Sequence, residues 1–210
     1  THKSYIKKDI FTDDDAVVEL GVGRNMVNSI RHWLRAAQLV TITPDIKTET
    51  DLGKALFAKE SGWDPYLEDE ATIWLIHWLL ATNPEHATSW FWFFNKFHKP
   101  EFTSEEVATS LIDFAKENIE AKFSAGTVKQ DSAVLLRAYV QSRASTKVLA
   151  EEALDSPLSL LKLITYSTAT KTYQSKREQR ENLPLGIFGY AICDLFTKLE
   201  KKAIPIEELM

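Results

Sequence analysis

Two glycines, Gly21 and Gly23, separated only by Val22, constrain this chain more than any other feature, because they interrupt what would otherwise be one continuous helical pattern. Between Thr12 and Thr43 the order reads as short helix, tight turn, longer helix and strand. Asp13, Asp14 and Asp15 put carboxylates where a helix N-terminus is electropositive, and Ala16–Leu20 supply the short helix. The glycines end it, since glycine accepts the left-handed backbone of a helix exit. From Arg24 to Leu39 the residues follow a period of about 3.6. Met26, Val27, Ile30, Trp33, Leu34 and Ala37 share one side; Arg24, Asn25, Asn28, His32 and Arg35 share the other, with Arg31 at the edge. Helix, Gly-containing turn and second helix make a helix-turn-helix pattern. Arg and Asn on its outward face are the residue types that reach phosphates and base edges. A two-helix hairpin with a merely solvated polar face has the same pattern.

Leu39–Thr43 then alternates as a strand does, Pro44-Asp45 turns it, and Thr50–Phe57 is expected to return toward the hairpin. Helix, turn, helix and hairpin together predict a winged helix. Lys47 and Lys54 would lie on or beside the wing.

The body behind this unit is large enough to hold a core. The chain has 210 residues, 44% of them hydrophobic, with a net charge of −5. An acidic chain is not a polybasic nucleic-acid coat, so any DNA contact must be a local basic patch. A single cysteine, Cys193, excludes a disulfide framework and thiolate zinc sites and fits a reducing cytoplasm. No signal peptide or bilayer-length apolar run is visible, so no membrane is expected and the predicted location is cytoplasmic.

Gly62–Tyr66 reads as a turn, and Leu67–Thr82 as a helix apolar around most of its circumference, hence buried on several sides. Asp64, Glu68, Asp69 and Glu70 form the densest carboxylate cluster and the one candidate metal site. Acidic helix starts are ordinary, no partner motif accompanies them, and no resident metal or other cofactor is expected. Asn83 and Pro84 open a helix carrying Trp90, Phe91, Trp92, Phe93, Phe94 and Phe97, which is most simply core. His77, His86 and His98 lack metal-ligand spacing. Thr103–Glu106 is a capping box opening Ser104–Asn118. Thr127–Ser142 forms the next helix, with Lys129 and Arg137 outward and Val128, Leu135, Ala138 and Tyr139 inward.

Leu158–Ile164 is an apolar helix or strand, followed by a hairpin of Ile164–Thr168 against Lys171–Gln174. Lys171, Lys176, Arg177 and Arg180, with Tyr166 and Tyr173, form the most basic stretch; on a second wing they would meet phosphates, on an ordinary loop only water. Pro184 starts a last helix, Leu185–Lys201, expected to bury Ile187, Phe188, Ala191, Ile192, Leu195 and Phe196. The predicted fold is therefore mainly α with small β-hairpins. Its expected units are a winged helix-turn-helix at 1–62, an aromatic helical core at 63–102 and a second winged-helix-like unit at 103–210.

Several blocks in this order carry a resemblance: ELGVGRNMVNSIRHWLRAAQLV, GWDPYLEDEATIWLIHWLL with NPEHATSWFWFFNKF, and the later GTVKQDSAVLLRAY and LPLGIFGYAICDLF. They resemble a bacterial family of domains of unknown function found beside DNA phosphorothioation genes, which includes the B component of Ssp-type systems. The resemblance runs from about residue 9 to the C-terminus. Family members carry an aromatic-rich block before the first motif and more chain after IPIEELM. It implies a DNA-binding subunit of an anti-phage DNA modification system, working with other subunits that deliver sulfur to the backbone. It also implies association with DNA nicking, for which Mg²⁺ would be needed only if nicking is intrinsic. The residues themselves contain no recognisable nuclease motif and no Gly-rich phosphate loop, so they favour binding over catalysis. A winged-helix transcriptional regulator and a protein-binding scaffold are the alternatives.

Overall fold

The computed structural model describes residues 17, 20–42, 47–140 and 156–205. It is mainly helical, with seven helices and two small antiparallel sheets among the described residues. Helix α1 spans Arg24–Ala36, and strands β1 (Val40–Ile42) and β2 (Lys47–Glu49) follow as a hairpin in which Thr41 opposes Thr48. Helices α2 (Asp51–Phe57), α3 (Glu70–Ala81) and α4 (Thr88–Asn95) come next. Strand β3 (Glu101–Phe102) precedes α5 (Ser104–Asn118) and α6 (Ala125–Tyr139). A 3-10 turn at Pro157–Leu161, strands β4 (Thr165–Ser167) and β5 (Thr172–Gln174), and α7 (Leu185–Leu199) complete the order. The expected helix at Ala16–Leu20, apart from residues 17 and 20, lies outside the described residues, as do the stretch 1–11, the Pro44-Asp45 turn and 141–155.

Helix α3 is the centre of the core because its sequence leaves no polar side to turn outward. Ile73, Trp74, Leu75, Leu79 and Leu80 are all buried. Around it pack α4, the 3-10 turn and α7, while α6 packs on α5, α4 and the same 3-10 turn. Trp90, Trp92 and Phe93 of α4 are buried, and the Phe93 ring lies 5.4 Å from Phe97 and 5.5 Å from Phe102. The aromatic stretch is core, as expected. The capping box of α5 also forms: Thr103 Oγ1 accepts from the Glu106 amide at 3.2 Å, and Glu106 accepts from the Thr103 amide at 2.7 Å.

Four elements differ from the sequence expectation. Thr50–Phe57, expected to return toward the hairpin, instead forms α2, which the Thr50 hydroxyl caps by accepting from the Gly53 amide at 3.0 Å, and the return strand is Lys47–Glu49. Helix α3 starts at Glu70 rather than Leu67, since Leu67 takes a left-handed conformation (φ 58°) and the Asp69 carboxylate caps the helix. Helix α4 starts at Thr88, not Pro84: the Asn83 side chain accepts from the His86 amide at 3.1 Å, making a turn first. Helix α7 buries none of its residues, and Phe188 is 49% exposed. Ile187 packs against the core while remaining partly exposed, and polar groups tie the helix to α3 and its end, with Trp78 Nε1 donating to Asp194 at 2.7 Å and Lys198 reaching Thr82 at 2.9 Å.

The hairpin near 163–175 forms as anticipated but within a larger sheet. Strand β5 lies between β4 and β3, pairing Tyr173 with both Tyr166 and Phe102. Phe102 and Tyr173 stack with their planes 7° apart. No described helix is long and apolar enough to cross a membrane.

Candidate nucleic-acid interface

Helix α1 starts without a side-chain cap; Gly23 supplies its first carbonyl, bonded by the amides of Met26 and Val27. Val27 and Ala36 are buried and Trp33 meets Trp90 edge-on at 4.8 Å, so the apolar side faces the core. Met26, expected on that side, is 56% exposed in the first turn. The opposite side is as the sequence predicts: Arg24, Asn25, Asn28, His32 and Arg35 are exposed and Arg31 is half-buried. A helix held along one side with Arg and Asn along the other can present donors to phosphates and base edges.

Two joints fix the hairpin against this helix. The Thr50 hydroxyl donates to the Gln38 carbonyl at 2.9 Å, and the Thr50 amide donates to the Leu39 carbonyl at 3.0 Å. Gly53 is required beside them, because a Cβ there would lie 2.2 Å from the Leu39 carbonyl oxygen. Asn83 adds a bond from its Nδ2 to the Ala36 carbonyl at 2.9 Å, tying the end of α1 to the turn before α4. Lys54 is exposed on α2, and Lys47 pairs in β2 opposite Ile42.

Between α1, the hairpin and α7 runs a groove of about 700 Å³ lined by Arg35, Gln38, Thr41, Asn83, His86, Tyr190 and Lys198, among others. Sequence reasoning named Arg35 as a DNA contact but did not foresee that His86, Tyr190 and Lys198 would line a groove with it. Nothing in the pattern of α7 says which element it lies beside. Lys198 is paired with Asp194 at 2.8 Å, and His86 approaches Glu85 at 3.5 Å. The His32 imidazole is pushed down from its ordinary value by burial first, then by His86 and Arg35, while Asp131 of α6 works against them. Burial raises the Asp131 carboxyl, and His32 lowers it. An acid therefore sits beside the basic face of α1.

The second predicted basic set is only partly available to a ligand. Lys129, Lys171 and Lys176 are exposed; Lys171 occupies a left-handed position (φ 56°) in the β4–β5 turn. Arg137 is exposed, with its Nε donating to the Ala133 carbonyl at 3.3 Å. Arg177 donates to the His98 ring. Arg180 is spent on structure: it pairs with Glu178 at 3.1 Å and donates to the carbonyls of Lys176 and Lys162.

The candidate metal cluster does not assemble. Among the described residues no three His, Cys, Asp or Glu side chains gather as a metal-binding group. Asp64 is 7% exposed, and its two oxygens accept from the amides of Glu68 at 2.8 Å and Asp69 at 3.1 Å. Burial alone would raise that carboxyl, but these amide bonds and the Thr72 hydroxyl hold it below its ordinary value. Its lone pairs serve the start of α3. His77 is likewise structural: its Nδ1 and the Tyr139 hydroxyl are 2.7 Å apart, with Trp74 and Phe94 edge-on around the ring.

With this geometry in hand, comparison with known proteins gives one family. A family model described as a protein of unknown function, DUF4007, matches residues 2–210. The chain belongs to the DUF4007 family. Two solved structures resemble this DUF4007 chain. One is described as an SspB crystal structure, with a TM-score of 0.76 and 26% identity over 91% of this chain and 59% of that one. The other, a magnesium ion-bound SspB crystal structure, has a TM-score of 0.77 and 26% identity, over 90% of this chain and 58% of that one. The chain therefore spans less than two thirds of the solved chains it matches. No curated protein matches it.

Proposed function

We propose that this chain is the DNA-binding part of a bacterial DNA phosphorothioation system, acting in the cytoplasm with the system's other subunits. In this reading α1 is the recognition helix of a winged helix and the β1–β2 hairpin is its wing, within a DNA-recognition unit extending over residues 1–62. The observation that carries the reading is the outward face of α1, with Arg24, Asn25, Asn28, His32 and Arg35 exposed beside a hairpin bonded to the helix end. The likeness to SspB crystal structures supports placing it in such a system. Arg35 lies eleven residues beyond Arg24 in the sequence. At about 1.5 Å per residue that is roughly 16 Å, enough for the first turn to meet bases while the last meets a phosphate. The groove behind Arg35 is also lined by His86 and Lys198, where a phosphate would have to replace their contacts with Glu85 and Asp194. A second wing at β4–β5 would add Lys171 and Lys176.

The test is a salt titration of DNA binding by the wild type and an Arg24→Ala, Arg31→Ala double variant on one duplex, paired with melting curves. Neutralising phosphate contacts removes counterion release, so affinity should fall by about tenfold or more and the salt slope should flatten. Identical affinities and slopes in a folded variant would move this face from DNA to protein partners. We extend the proposal to nicking only as an activity of the assembled system. Supercoiled plasmid incubated with the protein and Mg²⁺ or EDTA decides whether nicking is intrinsic.

A further inference from the structure

Asp131 is an acid beside a face proposed for a polyanion. It lies in the second turn of α6, on a side of that helix turned toward α1. Val134 and Ala138 of α6 line an apolar crevice together with Ser29, Ile30 and Trp33 of α1. Asp131 precedes them by three and seven residues, so it shares their side one and two helical turns earlier. Its neighbour on α1 is His32, which meets the Trp33 ring edge-on at 5.1 Å. His32 and Asp131 each act on the other's titration. The backbone beneath the acid is fixed: Ser132, Leu135 and Leu136 are buried, and the Ser132 hydroxyl donates to the Lys129 carbonyl at 2.8 Å. A side chain on such a support loses little freedom when a ligand meets it.

Asp131 is exposed and, among the described residues, accepts no hydrogen bond and joins no ion pair. His32 is not its counter-ion: burial, His86 and Arg35 together hold that imidazole below its ordinary value, so at neutral pH it is uncharged. A free carboxylate beside a DNA backbone repels phosphates and costs affinity. The same group is an acceptor with its lone pairs open. In the major groove the donors that base edges show are exocyclic amines, cytosine N4 and adenine N6. Resting on the reading of α1 as the recognition helix, we propose that Asp131 is a specificity-determining residue, accepting a hydrogen bond from an exocyclic amine of cytosine or adenine in the groove that α1 occupies. Contacts from α1 hold the duplex, and Asp131 penalises registers that leave its carboxylate without a base donor. Guanine and thymine present acceptors there, so a carboxylate meeting either edge is repelled as well as unpaired. Base reading is thereby shared between α1 and α6.

The experiment takes the whole chain and a pool of duplexes with a randomised centre, and sequences the DNA bound by wild type, Asp131→Ala and Asp131→Asn. Affinities for fixed duplexes and melting curves accompany it. The wild type should enrich cytosine or adenine at one position, and the base enriched tells the two amines apart. Asp131→Ala should lose that enrichment, on the order of tenfold, while other enriched positions stay. Its affinity for a duplex lacking the preferred base should rise, because a repelling charge is gone. Asp131→Asn keeps a carbonyl acceptor and should retain part of the preference. Both variants should melt with the wild type. Absence of an Asp131-dependent preference for cytosine or adenine, or a uniform gain of affinity at every sequence, would overturn the proposal and leave Asp131 a bare repelling charge. Lost binding with a lowered melting midpoint would make it structural. Those results leave the Arg24/Arg31 titration standing. No duplex binding by the wild type would instead remove the DNA reading, and this inference with it.

Discussion

Acid should destabilise this protein through His77, and the size of the effect can be worked from the structure. The ring is surrounded by Trp74, Phe94 and Tyr139, and burial lowers its pKa from 6.5 to about 3. In the unfolded chain the ring titrates near its ordinary value. Between those two values the unfolded chain binds a proton that the folded protein refuses. Stability is therefore full above the unfolded pKa and drains as pH falls toward the folded one. Each pH unit well inside that window removes about 1.4 kcal/mol, so a drop from about pH 7 to about pH 5 removes roughly 2 kcal/mol. Because the residue keeps some solvent exposure, this is a ceiling. The assay is urea unfolding of wild type and His77→Gln at both pH values. The variant keeps a polar group toward Tyr139 but does not titrate. Asp64, Glu106 and His32 shift too, yet they are common to both proteins and cancel in the difference. The stability gap between wild type and variant should change by up to about 2 kcal/mol in the direction of a weaker wild type at low pH. Parallel behaviour of the two proteins would refute the assignment of His77 as a buried neutral imidazole.

Other outcomes follow from single contacts. Phe93→Ala should cost about 3–5 kcal/mol in chemical unfolding, whereas Phe188→Ala on the uncovered side of α7 should cost less than about 1 kcal/mol. Thr103→Ala removes the cap of α5 and should cost about 1 kcal/mol, read in the same way. Gly53→Ala forces a Cβ onto the Leu39 carbonyl and should destabilise by about 1–3 kcal/mol or more, loosening the hairpin from α1 and lowering DNA affinity with it. If nicking is intrinsic, Glu68→Ala with Glu70→Ala should leave Mg²⁺-dependent relaxation of supercoiled plasmid unchanged; its loss, with DNA binding intact, would return a metal to that cluster.

The site proposed for DNA shows how an acidic protein can present a basic face. Its net charge is −5, yet α1 has no acidic residue in its first turn and carries Arg35 in its last. The carboxylates are concentrated elsewhere, notably across residues 59–70.

Much of this was legible in the sequence, for reasons that are local. The amphipathic split of α1, the capping box at Thr103–Glu106, the all-round apolarity of α3 and the aromatic stretch of α4 depend on residues within a turn or two of each other. Helical period and cap chemistry report such relations directly. The second hairpin was legible for the same reason, but of the first only the outgoing strand was, since Asp51–Phe57 forms α2. The tertiary structure decided the rest. The sequence placed Phe188 and its neighbours inward because apolar residues usually are; Ile187 does pack on the core, but α7 is also held by Asp194 and Lys198, leaving Phe188 exposed and none of its residues fully buried. Nothing local could reveal that β3 would join the later hairpin across about seventy residues, or that Arg35 would share a groove with His86 and Lys198. Nor could it reveal that Arg180 would be consumed by carbonyls and Glu178, or that Asp64 would bury its carboxylate under two amides. Periodicity fixes which side of an element is apolar; which element covers that side, and which charges are left for a ligand, is settled only when distant segments compete for the same surface.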